Sequence, residues 1–439
     1  MAIAAYTGLS ASGLLAAQAW AGNRAADGKA VAFDFESLKA QAKQLAATAY
    51  KDTKQVLPPT LASMTPQNFN AIGYDRNHSL WKELNGQLDV QFFHVGMGFK
   101  TPVRMHSVDP KTREAREVHF RPSLFNYEKT TVDTKQLTGD LGFSGFKLFK
   151  APELDRHDVL SFLGASYFRA PGPTKQFGLS ARAIAINTSM SGKEEFPRFT
   201  HFWLERTGEH GVTIYALLDG ASITGAYRFV SSLGADGVHQ DVTAALFPRR
   251  PIEELGLMAM TSMFWYDQAH RNLSTDWRPE IHDSDLLSIA SADGTAQARP
   301  IINPPFPRTA AFAERNPKGF GLLQRDRNFD HYQDDGVFYE RRPSLWSTPA
   351  TPLGDGQVRL YEFPTDSEYT DNVVAYWTPD AAAVPGRRID ASYRVDWSAA
   401  RAPAPWQANV NGGRGAAAAD VFAFVSIVLH EPPPQCFTL

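Results

Sequence analysis

Two runs near the middle of the chain, Val212–Leu218 (VTIYALL) and Thr224–Val230 (TGAYRFV), decide the fold class. Both are short, rich in β-branched and aromatic residues, and separated by a stretch that holds Asp219 and Gly220. Such side chains pack well on a pleated surface. The same texture recurs outward in both directions. Gln87–Val95, Val103–Val108, Glu117–Phe120 and Phe146–Phe149 precede the pair. Gln357–Phe363, Asn372–Trp377 and Ser392–Trp397 follow it. Gly, Pro, Asp and Asn stand between the runs, and there is no alternation of strands with helices. This is the pattern of an all-β protein, antiparallel sheets stacked in a sandwich. One helix is expected, over residues 34–51. Asp34 suits an N-cap, and Phe35, Leu38, Ala42, Leu45 and Ala49 recur at helical spacing.

Composition supports this reading and excludes others. A hydrophobic fraction of 43% is ample for a large core, and an all-β core accounts for most of the 12% aromatic residues. The net charge of −3 leaves no basic field for nucleic acid or an anionic membrane surface. Cys436 is the only cysteine, so no intrachain disulfide forms. There is no Gly-x-Ser-x-Gly, Walker loop or dinucleotide fingerprint. The run from Asp326 to Asp330 opens like a calcium loop, but His331 and Val337 stand where that loop needs Gly and Glu. No metal or other cofactor is expected.

The ends of the chain have their own character. Residues 2–21 are uncharged and small or apolar, and Ala19-Trp20-Ala21 has the form of a cleavage site before Gly22. Residues 1–21 are therefore expected to act as an export signal, although a basic n-region is missing. A short Ala-rich helix is the alternative. No other run is long enough to span a bilayer, so stable membrane insertion is not expected. Residues 399–406 read as a linker. Residues 407–439 read as a truncated or frameshifted remnant of a further domain, too small for a core of its own.

Chemistry concentrates in three segments. Asp276–Asp285 (DWRPEIHDSD) packs four acids, an arginine, a histidine and a tryptophan around Pro279. Pro279 removes a backbone donor, so a regular buried element is not expected there. Two readings fit: a polar cleft for sugar hydroxyls or a scissile bond, or a loop tied by its own salt bridges. The second segment is Gly319–Trp346 and the third is Glu362–Trp377. Glycoside cleavage needs one protonated acid at the leaving oxygen and one carboxylate that activates water or attacks. In the third segment Asp371 stands at the mouth of an apolar strand, a setting that suits an acid catalyst. Composition alone does not choose among the carboxylates.

Phe162–Ala170 (FLGASYFRA), Phe177–Thr188 (FGLSARAIAINT), Glu195–Glu205 (EFPRFTHFWLE), WRPEIHDSD, GLLQRDRNFDHYQ, RRPSLW and DNVVAYW, in this order, resemble one family. It is the periplasmic glucan biosynthesis family (OpgG/OpgD, also called MdoG/MdoD). The likeness spans roughly residues 33–398, and Asp334–Trp346 is most similar to the D branch. The resemblance implies a galactose-mutarotase-like β-sandwich followed by an immunoglobulin-like domain, here truncated. It implies a periplasmic protein that acts on β-1,2-linked glucan, as an inverting endo-β-1,2-glucanase that trims the backbone. By motif match the general acid falls on Asp371 and the general base on Asp283, with Tyr339 at the site. Trp277, Arg278, Glu280, Arg325, Trp346 and Glu368 follow as substrate contacts. A homodimer is left open. The chain departs from the family in Leu286 after HDSD and in Ala183, where glycine is usual. A non-catalytic glucan-binding factor that guides synthesis is the second reading, and a sandwich enzyme on another sugar, such as an epimerase, is the third.

Overall fold

The computed structural model describes residues 26–52, 55–82, 87–154, 156–209 and 211–398. The segments 1–21, 399–406 and 407–439, read from sequence as an export signal, a linker and a remnant of an immunoglobulin-like domain, lie outside them. The two runs that open the sequence reading form neighbouring strands, Gly211–Asp219 and Ile223–Leu233, paired antiparallel along their whole length. The first strand is buried on both faces, which is why it reads as an unbroken apolar run. Ile214, Ala216 and Leu218 face the inside of the sandwich. Tyr215 and Leu217 face the other way, under a helix, with Leu38 and Ala42.

That helix, α1, spans Phe35–Ala46. Asp34 caps it: its side chain accepts from Ser37 N at 2.6 Å, and Ser37 answers to the Asp34 backbone. It stops five residues before the expected end. Arg249 takes over the terminal carbonyls there, donating to Leu45 O at 2.9 Å and Thr48 O at 3.1 Å. A guanidinium on the last turn satisfies acceptors that further helix would have used.

Two large sheets make the β-sandwich. The twelve-stranded sheet runs, in spatial order, through Val31–Ala32, Glu114–Val118, Arg104–Val108, Arg198–Arg206, Gly211–Asp219, Ile223–Leu233, Val238–Pro248, Ile389–Ser398, Ser344–Pro349, Gly319–Leu323, Leu286–Ala290 and Ala296–Pro300. The ten-stranded sheet has Leu255–Ser262 near its centre, between Val373–Pro379 and Ser180–Arg182. Pairing is antiparallel with one exception. Arg104–Val108 and Arg198–Arg206 run parallel, because the chain between them crosses to the other sheet, builds several of its strands and returns in the same direction.

Phenylalanines lock the sheets together. Phe146 and Phe162 of the ten-stranded sheet meet Phe202 of the other at 5.1 and 5.5 Å between ring centroids. Phe168 meets Trp397 at 5.7 Å. The aromatic content of the chain is thus mainly core. The two departures from the family pattern are absorbed by packing. Ala183 is buried, and Leu286 is buried against Trp346.

His94 is sealed inside the sandwich, with Nδ1 at 2.6 Å from Val95 O and Nε2 at 2.8 Å from Tyr127 Oη. This fits a neutral ring that donates through Nδ1 and accepts from the phenol. Burial pulls its pKa down to about 4. The folded value is below the ordinary one, so its contribution is complete above about pH 6.5 and is lost as pH falls toward 4. We expect the unfolding free energy from denaturant titration to fall over that window, by up to about 3 kcal/mol from this group. His94→Gln should flatten the slope; an unchanged slope would exclude His94 as its source. Asp34→Ala should cost about 1 kcal/mol through loss of the cap, read in the same titration at pH 7.

Candidate functional site

The central strand Leu255–Ser262 does not stop at the sheet edge. Its chain continues into Phe264–Tyr266, where Phe264 pairs with His282. On one flank Asp283 N donates to Met263 O at 2.8 Å, and the hydroxyls of Ser262 and Ser284 meet at 2.7 Å. On the other flank stands Asn372. Its amide donates to Phe264 O at 3.0 Å and Phe363 O at 2.9 Å, and its carbonyl accepts from Phe264 N at 2.8 Å. Asp283 and Asp371 therefore stand on the two segments that flank one strand. Asp371 is half-buried; Asp283 is 4% exposed.

A chain of polar contacts joins the two flanks. Arg342 donates through Nη1 to Asp283 Oδ1, and its guanidinium lies 3.9 Å from the Tyr339 ring centre. Gly178 backs it, in a place where a Cβ would come 3.0 Å from the Arg342 Cβ. Tyr339 Oη donates to Glu368 Oε2 at 2.5 Å. Arg278 donates to both Glu368 oxygens, at 2.8 and 3.1 Å, to Asp334 at 2.7 Å and to Asp276 at 2.6 Å. Glu368 sits three residues before Asp371, so the chain of contacts runs from the buried aspartate to the loop of the half-buried one.

Burial and charge set the protonation states. Burial lifts the Asp283 carboxyl above the usual range, opposed by Arg342. Burial also raises the Tyr339 phenol, so it keeps its proton and serves as a donor. Burial would lower the Arg278 pKa, but Glu368, Asp276 and Asp334 outweigh it and hold the guanidinium charged. The Asp276 carboxyl is held low, first by its hydrogen bond from Arg278.

The remaining candidates fall into separate places. Glu280 is buried; its two oxygens meet Gln268 Nε2 at 3.1 Å and His282 Nε2 at 3.2 Å. His282 Nδ1 in turn meets Gln324 Oε1 at 2.9 Å. Arg325 is partly exposed and donates to Asp285 at 3.0 and 3.1 Å. Trp277 is exposed beside Arg278. Trp346 is not gathered in with them. Its ring is buried among Leu286, Ala290 and Leu323, in space left by Gly321 opposite it in the register. DWRPEIHDSD is tied by its own Asp276–Arg278 and Glu280–His282 pairs, and it borders the candidate site. A cavity of about 470 Å³ opens nearby, lined by Tyr167, Arg169, Ser180 and Phe196. Arg169 is near enough for its charge to act on Asp283.

Two groups of metal-type donors occur among the described residues, Glu280 with Asp326 and His331, and Glu117 with His119 and Asp140. Their carboxylates are already engaged, by His282, Gln268 and His331 in the first and by Arg104 and His119 in the second. Neither offers a vacant set.

Arg342, Asp334, Gln324 and Asn372 were not named from sequence. RRPSLW holds two arginines, and nothing in the pattern separates Arg341, with its side chain 53% exposed, from Arg342 at 8%.

Comparison with known proteins gives a consistent result. The sequence model of the family "Periplasmic glucan biosynthesis protein, MdoG" matches residues 33–426, further along the chain than the motifs quoted above. "Glucans biosynthesis protein D" of Pseudomonas fluorescens (strain SBW25) is 66% identical over 401 residues, 91% of this chain and 74% of that protein. A protein of the same name from Pseudomonas syringae pv. tomato is 54% identical over 400 residues, with the same shares. Among solved structures, a galactose mutarotase related enzyme from Lactobacillus acidophilus aligns over 55% of this chain and 97% of its own, at 8% identity and a TM-score of 0.23.

The Asp283–Arg342 pair makes a stability prediction. Arg342→Met strands a buried carboxylate and should cost about 3–5 kcal/mol. The double variant with Asp283→Asn should recover much of that loss, because no bare charge remains buried. Equilibrium denaturation reads both. Strictly additive losses would mean that the pair is not coupled.

Proposed function

The chain belongs to the MdoG family of periplasmic glucan biosynthesis proteins, and from that premise we propose that it works in the periplasm as an inverting endo-β-1,2-glucanase that trims the glucan backbone. Residues 33–398 are its glucan-processing domain. The observation that carries the reading is the shared strand: Met263 holds the Asp283 segment on one side and Phe264 holds Asn372, next to Asp371, on the other. In this proposal the two carboxyls stand across the strand from each other with a sugar and a water between them, and inverting enzymes need such a gap, about 6.5–9.5 Å between carboxyl groups.

In this proposal Asp371 gives its proton to the glycosidic oxygen as the bond to the anomeric carbon breaks. Asp283, ionised against Arg342, takes a proton from the water that attacks the opposite face. The products are a shortened glucan with inverted configuration at the new end and a free chain. Tyr339, between the Asp283–Arg342 pair and Glu368, is the neighbouring hydroxyl through which a relay to the water would pass. Arg278, Glu368 and Arg325 present charge to sugar hydroxyls. Glu280, with both oxygens engaged, holds His282 in place. Among the described residues no helix is long and apolar enough to cross a membrane.

Incubation with linear β-1,2-glucan, read as chain length by thin-layer chromatography, tests the reading. We expect shortening, and loss of it by about 10²–10⁴-fold in Asp371→Asn with glucan binding retained. Asp283→Asn should be as severe. Folded Asp371→Asn that cleaves near the unaltered rate would show that Asp371 is not the acid. Binding without shortening by the unaltered chain would favour the non-catalytic glucan-guiding role instead.

A further inference from the structure

The His282 ring is 1% exposed, and its residue immediately precedes Asp283. Phe264 stacks on the ring at 5.3 Å between centroids and 14° between planes, and Tyr332 meets it edge-on at 5.3 Å. Both ring nitrogens are engaged, Nδ1 with Gln324 Oε1 at 2.9 Å and Nε2 with Glu280 Oε2 at 3.2 Å. The cleavage steps above use neither the ring nor Gln324.

The protons on this ring follow from its partners. The amide nitrogen of the fully buried Gln324 donates to two backbone carbonyls, His282 O at 2.9 Å and Tyr339 O at 3.0 Å. Carbonyls only accept, so the amide cannot be turned over, and its oxygen is the end that faces Nδ1. That oxygen also only accepts, so Nδ1 carries a proton. A neutral ring would then set a lone pair on Nε2 against the Glu280 carboxylate, two acceptors with no donor between them. A second proton therefore lies between Nε2 and Glu280, on the nitrogen, which is the more basic of the two. The ring is an imidazolium, and Glu280 is the counter-ion that its burial requires.

The other charges around it are few. Burial would lower the ring's pKa, but the bond to Glu280 and the charge of Asp285 hold it above the ordinary value. Asp285 is itself engaged by Arg325. From the short helix Phe329–Tyr332, Tyr332 keeps its proton because burial raises its phenol. Asp326 and His331 approach Glu280 within 4.8 Å. At Asp283, burial lifts the carboxyl, and the charges of Arg342, His282 and Arg169 pull it down.

We propose that His282, fixed as an imidazolium by Glu280 and Gln324, is a positioning residue that keeps the Asp283 carboxylate ionised. Gln324 completes the arrangement, because its bonds to His282 O and Tyr339 O tie the peptide that enters Asp283 to the turn before Arg342. The proposal rests on the glucanase reading above and adds to it what sets the charge of the base.

Two measurements on the whole chain test it. In protein labelled with ¹⁵N-histidine, the His282 signals are assigned by their loss in His282→Asn. Both ring nitrogens should stay protonated from about pH 5 to about pH 8, and loss of either proton within that range would overturn the proposal. The second measurement is kcat/KM on linear β-1,2-glucan against pH. His282→Asn keeps a donor where Nδ1 stood and removes the charge, so Asp283 should gain its proton at higher pH. The acid limb should then move up by about one pH unit. Glu280→Gln, which takes the counter-ion from the ring, should move the limb in the same direction and serves where His282→Asn does not fold. A merely structural role would lower the rate at every pH and leave the limb in place, and that result would overturn the proposal alone. No cleavage by the unaltered chain at any pH would overturn the glucanase reading, and the role of His282 with it.

Discussion

One buried amide fixes the geometry on which the site depends. The Asn372 side chain is fully buried and makes three hydrogen bonds, two to Phe264 and one to Phe363. A strand that runs past its sheet would leave unpaired backbone groups at its end. Here the amide pairs with Phe264 as a backbone partner would, so the extension holds its register. The same amide pins the start and the end of the loop that carries Glu368, Tyr369 and Asp371. Each net bond is worth only about 1 kcal/mol, but a buried group left without its partner costs about 1–3 kcal/mol. The arrangement is therefore set less by the strength of these bonds than by the cost of any alternative. Glu362, buried at the base of the same loop, adds a second anchor through Ile302 N at 2.8 Å and Arg308 Nε at 2.9 Å.

Charge is then distributed in two ways on this frame. Asp283 and Arg342 form a sealed pair, each carrying the charge that makes the burial of the other tolerable. Such a pair contributes little net stability compared with apolar packing, so its value is geometric. The stack of Arg342 on Tyr339 and the contact with Gly178 allow the guanidinium one orientation. Arg278 is the opposite case. It faces three carboxylates in a wetter place, and the local excess of negative charge leaves acceptors for hydroxyl donors even after the arginine is satisfied.

The sequence disclosed these features unevenly, for physical reasons. The cap at Asp34 was legible because N-capping is local: the acceptor and its donor lie three residues apart. The end of α1 was not, because Arg249, some two hundred residues away, supplies the guanidinium. Strand texture was legible wherever side chains pack on a pleat. Trp346 was expected on sugar because it stands in a motif with charged neighbours. Its true partner signal was the Gly319-x-Gly321 spacing, which leaves a slot for an indole on the adjacent strand. Arg342 and Asn372 were read as parts of motifs without roles. Their roles are long-range hydrogen bonds, to Asp283 and Phe264, and no local pattern records which of two adjacent arginines turns inward.

The site also runs along a gradient of water. Asp283 lies at the dry end, with its counter-ion, and Trp277 and Tyr369 lie at the wet end. Electrostatic interactions strengthen as water is excluded, so a group that must hold or exchange a proton against one fixed partner belongs where the surroundings are dry and rigid. Recognition of a polymer has the reverse requirement. A chain that must enter, shift and leave is held best by contacts that are individually weak and face solvent. Tyr339 joins the two ends, its ring under Arg342 and its hydroxyl on Glu368. A single phenol thus links the buried Asp283–Arg342 pair to the loop that carries Glu368, with three contacts from Glu368 to Asp283.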